Sequence, residues 1–190
     1  MKVKVLTVLS LIGLFVSGCA STDTADQSNL KGAGTMQNNA RPFDGTKIVQ
    51  IGIVVRDVEK YAKSYAEFFG VEVPDVIISE PEDTAKTCYH GRPTKARVKQ
   101  VFFNFDNISI ELLEPLGGPS TWKEFLDSNG EGVHHIAFEI KGMDEQIARI
   151  QDRGVNLIQQ GRWTDGSGGR YAYFDSSDKL AVILELLENF

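Results

Sequence analysis

One stretch of this sequence occurs twice, and that constrains the fold more than any other feature. Gln50-Ile51-Gly52-Ile53-Val54-Val55 is a β-branched run followed by Asp57, a good helix cap. Val58, Tyr61, Ala62, Tyr65 and Phe69 then recur at helical spacing up to Gly70. Further on, His135-Ile136-Ala137-Phe138-Glu139-Ile140 reads as another strand. Met143, Ile147 and Ile150 carry a second helix, closed by Gly154. The halves also end alike, with Ile108-Ser109-Ile110-Glu111-Leu112-Leu113-Glu114 matching Val182-Ile183-Leu184-Glu185-Leu186-Leu187-Glu188. Each half therefore predicts β-α-β-β-β, over about 47–115 and 133–188. Between them Thr121-Trp122-Lys123-Glu124 predicts a capped linker helix over about 121–128, with Gly130 after it. Neither half buries much core alone. The prediction is one α+β domain over 47–190, built of two βαβββ modules about a pseudo-twofold axis.

The N-terminus reads as an address. Lys2 and Lys4 precede an apolar stretch from Val5 to Val16, too short for a comfortable membrane span. Val16-Ser17-Gly18-Cys19 resembles a bacterial lipobox, in which the enzyme cuts before the cysteine and its thiol takes a lipid. The expectation is a signal peptide over 1–18, a lipidated Cys19 and a flexible polar tether over 19–46. The expected location is the cell envelope, at the periplasmic face of the outer membrane, with the membrane as partner through the lipid. With Cys19 in the anchor, Cys88 is expected as a buried thiol.

Composition narrows the partners. A net charge of −6 without a Lys/Arg cluster excludes nucleic acid bound by counterion release. Two cysteines exclude a disulfide scaffold and a four-cysteine zinc site.

Glu111 and Glu185 sit inside apolar strand runs, where a carboxylate is costly unless paired or bound to a metal. The repeat makes them equivalents of one another. It likewise relates Gln50 to His135, each opening the first strand of its half. One amide, one imidazole and two carboxylates are a donor set for a borderline divalent ion. His134 has the opposite orientation and reads as packing or support.

Gln50-Ile-Gly-Ile-Val-Val-Arg-Asp-Val, Ile-Glu111-Leu-Leu-Glu-Pro, Gly132-Val-His-His135-Ile-Ala-Phe-Glu and Ile-Leu-Glu185-Leu resemble the vicinal-oxygen-chelate (VOC) superfamily, glyoxalase I and methylmalonyl-CoA epimerase branches. The resemblance implies a metal held by Gln50, Glu111, His135 and Glu185, with zinc foremost and Ni, Mn, Co or Fe as alternatives. It implies chelation of two substrate oxygens and proton abstraction next to a carbonyl through a metal-stabilised enediolate. By that analogy Glu185 is the base and Glu111 returns the proton. Gln50 departs from the epimerases, which usually have His there, and the set departs from the iron ligands of extradiol dioxygenases. The implied activity is that of an isomerase or lyase on a small oxygenated compound. The alternative is a non-catalytic binding protein of the bleomycin-resistance type. Family members assemble their site within one chain or between two, so a homodimer is also an expectation. Arg56, Tyr89, His90, Arg92, Arg162 and Arg170 are polar candidates for holding substrate. Tyr89 to Arg92 lie in a long polar stretch that reads as a lid, and Gly166 to Gly169 as a loop that would offer N–H groups to an anion.

Overall fold

A computed structural model describes residues 41–190. The stretch expected to be a signal peptide, Cys19 and most of the expected tether lie outside the described residues.

The first half contains β1 (Ile48–Val54), α1 (Val58–Phe69), β2 (Ile77–Ile78), α2 (Glu82–Ala85), β3 (Cys88–Tyr89), β4 (Arg92–Pro93), β5 (Arg97–Asn104) and β6 (Ser109–Leu116). After α3 (Thr121–Asn129) come β7 (Gly132–Glu139), α4 (Met143–Gln151), β8 (Leu157–Trp163), β9 (Gly169–Phe174), α5 (Ser177–Leu180) and β10 (Ile183–Asn189). One curled mixed sheet runs in the order β2-β5-β6-β1-β7-β10-β9-β8-β3-β4. At its centre β1 and β7 pair antiparallel, β6 runs parallel to β1, and β10 runs parallel to β7. The two βαβββ modules predicted from the repeat are thus joined edge to edge through their first strands.

Strand alternation sorts the side chains onto two faces. On one face Val101, Phe103 and Leu112 pack against Val58, Ala62 and Ala66 of α1. The second half repeats this, with Ala172, Phe174, Leu184 and Leu186 against Met143, Ile147 and Ile150 of α4. The alternate residues Gln100, Phe102, Glu111, Tyr173 and Glu185 line a cavity on the other face. The helices hold the outside of the curl, and its inside is left for chemistry.

Local signals act as expected at α1. The Asp57 side chain accepts from the Lys60 N–H at 2.8 Å, and Gly70 ends the helix at φ 67°. At α3 the cap is Ser120, not Thr121 as the sequence suggested. Ser120 has extended backbone and accepts from the Lys123 N–H at 3.1 Å, while the Thr121 N–H donates to Gln159 Oε1 at 2.8 Å.

The polar stretch of the first half forms a structure the repeat did not predict. Its chain leaves β2 at one free end of the sheet, passes through α2, and makes the β3–β4 hairpin against β8 at the other. Cys88 is buried there as expected, but it is disulfide-bonded and not a thiol.

Candidate metal centre

The register of the central strands brings four predicted residues onto one patch. Gln50 lies opposite Ala137, and Gly52 opposite His135. On the flanking pairs Gly52 lies opposite Glu111, and Ala137 opposite Glu185. The two halves obey the same rule: a polar residue sits inside the first strand, not at its start as the sequence suggested, and two positions later a small residue faces a glutamate on the last strand. All four come from one chain.

The small residues make the room. A Cβ at Gly52 would lie 1.9 Å from His135 Cε1, so the imidazole occupies the space a side chain would take. His135 Nε2 then sits 3.0 Å from Glu185 Oε2 and 3.4 Å from Glu111 Oε2. His135 is fully buried, Glu111 and Glu185 are each 3% exposed, and Gln50 is 7% exposed. Burial alone would pull the His135 pKa down. The Glu185 and Glu111 carboxylates outweigh burial and raise it to about 9. Burial pushes the Glu111 carboxyl up, against the opposing pull of His135.

Support comes partly from residues that no sequence pattern marks. Gln100 Nε2 donates to Glu111 Oε1 at 2.5 Å, which fixes that carboxylate. The ring nitrogens His134 Nδ1 and His135 Nδ1 lie 3.0 Å apart. Burial, then the neighbouring His135, hold His134 well below the ordinary histidine value. A neutral His134 accepts from His135 Nδ1–H in the tautomer assignment that fits this contact, which leaves His135 Nε2 pointing at the carboxylates. Trp122 Nε1 donates to Tyr173 OH at 3.2 Å. Burial raises the Tyr173 pKa well above its usual value and that of Tyr171 to about 12, so both phenols stay protonated.

The donors fit a cation. His135 Nε2 and Glu185 Oε2 are buried and make no hydrogen bond of normal geometry. In the metal-free protein they face each other as an ion pair, and a cation would take the place of the His135 proton between them. A second carboxylate group, Asp57, Glu59 and Glu114, has ligand atoms within 4.8 Å of one another on the outer surface. Each of its carboxylates already has a partner in the protein. Lys99 bridges Glu59 and Glu114 at 2.9 and 3.2 Å, Asp57 caps α1, and Glu114 accepts from the Val58 N–H at 3.0 Å.

The cavity above the patch has a volume of about 380 Å³. Phe102, Trp122, Tyr171, Tyr173 and Trp163 form its apolar walls, and Glu80, Arg162 and Asp165 bring polar groups to it. Arg162 is the one polar candidate from the sequence that lines it. Arg170 is paired with Asp144 at 2.5 Å. Tyr89 donates to Glu124 at 2.7 Å, and His90 and Glu124 line a different depression. Arg92 is exposed on β4, and Arg56 is exposed with its backbone N–H on Glu131. In the glycine loop, Gly169 has no room for a side chain because Trp163 packs on it.

The model for the Glyoxalase/Bleomycin resistance protein/Dioxygenase superfamily matches residues 49–174. The chain belongs to that superfamily. It is 30% identical over 129 residues to an ethylmalonyl-CoA/methylmalonyl-CoA epimerase of Cereibacter sphaeroides, covering 67% of this chain and 86% of the relative. It is 27% identical over 164 residues to the mitochondrial methylmalonyl-CoA epimerase of Bos taurus, covering 86% and 82%. Among solved structures, a Streptomyces coelicolor methylmalonyl-CoA epimerase in complex with 2-nitronate-propionyl-CoA matches with a TM-score of 0.54 at 27% identity, over 77% of this chain and 99% of that one. The VOC fold implied by the sequence resemblance is the fold observed.

Proposed function

We propose that this protein is a divalent-metal-dependent isomerase or lyase that removes a proton next to a carbonyl. The observation that carries this reading is the meeting of His135 Nε2 with the buried Glu111 and Glu185 carboxylates at the floor of a cavity. The epimerase relatives support the reaction class.

Gln50, Glu111, His135 and Glu185 would hold the ion. Zinc suits the mixed nitrogen and oxygen set, with Ni, Mn, Co and Fe as alternatives. A bound cation would polarise the substrate carbonyl and stabilise the negative charge that develops on proton loss. The residues do the rest. His135 is held in orientation by His134 on its far nitrogen. Glu185 takes the proton at Oε2. Glu111, steadied by Gln100, returns it. Phe102 and Tyr173 keep water from the reacting carbon. A general base so placed is worth about 10² to 10⁴ in rate.

Lipidation of Cys19 belongs to the same proposal and would place the domain at the cell envelope. There a coenzyme A thioester, the substrate class of the named relatives, is scarce, which favours a smaller oxygenated carbonyl compound.

The test is deuterium exchange. A panel of 2-hydroxycarbonyl compounds, with methylmalonyl-CoA included, is incubated in D₂O and the C–H next to the carbonyl is followed by NMR. Metal-loaded protein should accelerate exchange for one compound class, and chelated protein should not. Tight binding of a compound without exchange anywhere in the panel would assign the protein to the non-catalytic class.

A further inference from the structure

Four buried side-chain polar atoms among the described residues make no hydrogen bond of normal geometry: His134 Nε2, His135 Nε2, Glu185 Oε2 and Glu80 Oε2. Two of these belong to the proposed metal ligands, and a third to the histidine that orients one of them. Glu80 stands apart. It lies on the segment that leaves β2 and crosses to β3, joining the two free ends of the curled sheet. It lines the same cavity as Gln50, Glu111 and Glu185. Its other oxygen, Oε1, accepts a hydrogen bond from Thr164 Oγ1, just past β8 in the other half. The carboxylate is thus clamped across the cavity by one oxygen, and the second is held buried with nothing to accept from.

An unsatisfied buried acceptor is costly, more so when it belongs to a carboxylate. No donor among the described residues reaches it, although Arg162, Gln100 and the Trp163 indole also line the cavity. A donor brought by the ligand would satisfy it. We infer that Glu80 is a substrate-recognition residue whose Oε2 accepts a hydrogen bond from a hydroxyl group at the end of the substrate remote from the metal. This rests on the proposed function for the position of the reacting end. It adds the substrate class, a compact hydroxylated carbonyl compound spanning from the metal ligands to Glu80.

The geometry gives Glu80 selectivity and not chemistry. Thr164 anchors it, so the acceptor is pre-positioned and loses little freedom on binding. A site built to hydrogen-bond a substrate hydroxyl discriminates strongly against the analogue that lacks it.

Two ligands test this without requiring turnover. Hydroxyacetone and erythrulose share the hydroxyketone head, but only erythrulose carries further hydroxyls beyond it. Calorimetric titration of the zinc-loaded protein should show erythrulose bound at least about tenfold more tightly, as for a hydrogen bond to a charged group. In Glu80→Ala the ratio of the two affinities should fall towards one. Glu80→Gln, which keeps an acceptor oxygen, should recover part of it, and Thr164→Val should lower it by loosening the clamp. Zinc content and melting temperature of each variant establish that the site and fold persist. Equal affinities in the wild-type protein, binding of neither ligand, or an unchanged ratio in Glu80→Ala overturns the assignment. Absence of deuterium exchange with the ratio intact instead refutes the proposed reaction and leaves Glu80 as the recognition residue.

Discussion

Gly52 and His135 face each other across β1 and β7 so closely that a Cβ on Gly52 would lie 1.9 Å from His135 Cε1. The absence of a side chain at position 52 is what lets the imidazole reach the two glutamates. Gly52→Ala forces the ring or the strand to move. Overpacking of this kind costs about 1–3 kcal/mol. The thermal melt should fall accordingly, and metal content should drop well below that of the wild-type protein. Full metal occupancy with an unchanged melt would mean that His135 does not need this space.

His134 acts through its neighbour. Replacing it with Phe fills the same apolar surroundings of Phe125 and Tyr173 but removes the contact with His135 Nδ1. Loss of such a supporting hydrogen bond typically costs about 10–100-fold in metal affinity. Competition against a chelator of known affinity measures this directly. Wild-type affinity in His134→Phe would show that the ring is oriented by packing alone.

Much of this site is legible in the sequence, for a physical reason. Glu111 and Glu185 interrupt apolar strands, and Gln50 and His135 stand at matching places in the first strand of each half, so the repeat by itself marks the four positions. Asp57 and Gly70 are legible because caps are local. The rest depends on distant pairing. That Gly52 shelters His135 follows only from the β1–β7 register. That Gln100 reaches Glu111 follows from the β5–β6 pairing. Glu80 lies on a segment with no counterpart in the second half, so the repeat carries no signal for it. Arg170 stands out by its charge, but Asp144 claims it, and the sequence does not reveal that partner.

Proton and metal compete for His135. In the metal-free protein its folded pKa is raised to about 9 from an ordinary 6.5, chiefly because the two carboxylates overcome burial. The ion requires a neutral Nε2, so binding expels a proton below that pH. Apparent affinity should rise about tenfold per pH unit up to about pH 9 and then level. The sign for stability is the reverse. A raised histidine pKa stabilises the metal-free fold fully below about 6.5 and less as pH climbs through about 9. Melts at several pH values with and without metal should therefore diverge as pH rises. Parallel curves would contradict the charge assignment.

Lipidation makes a separate prediction. Cells fed labelled palmitate should label the wild-type protein, and Cys19→Ala should carry none. Equal label in Cys19→Ala would place the anchor elsewhere.

The central claim is that Glu185 both binds the ion and moves the proton, and one substitution separates these duties. Glu185→Gln keeps a carbonyl oxygen as ligand but removes the base. Metal content and deuterium exchange are measured on the same preparation, using the compound that the wild-type protein exchanges fastest. The account predicts that most of the metal stays while exchange falls by about 10² to 10⁴. Exchange at the wild-type rate in metal-loaded Glu185→Gln would contradict it and move the base to another residue, with Glu111 first in line.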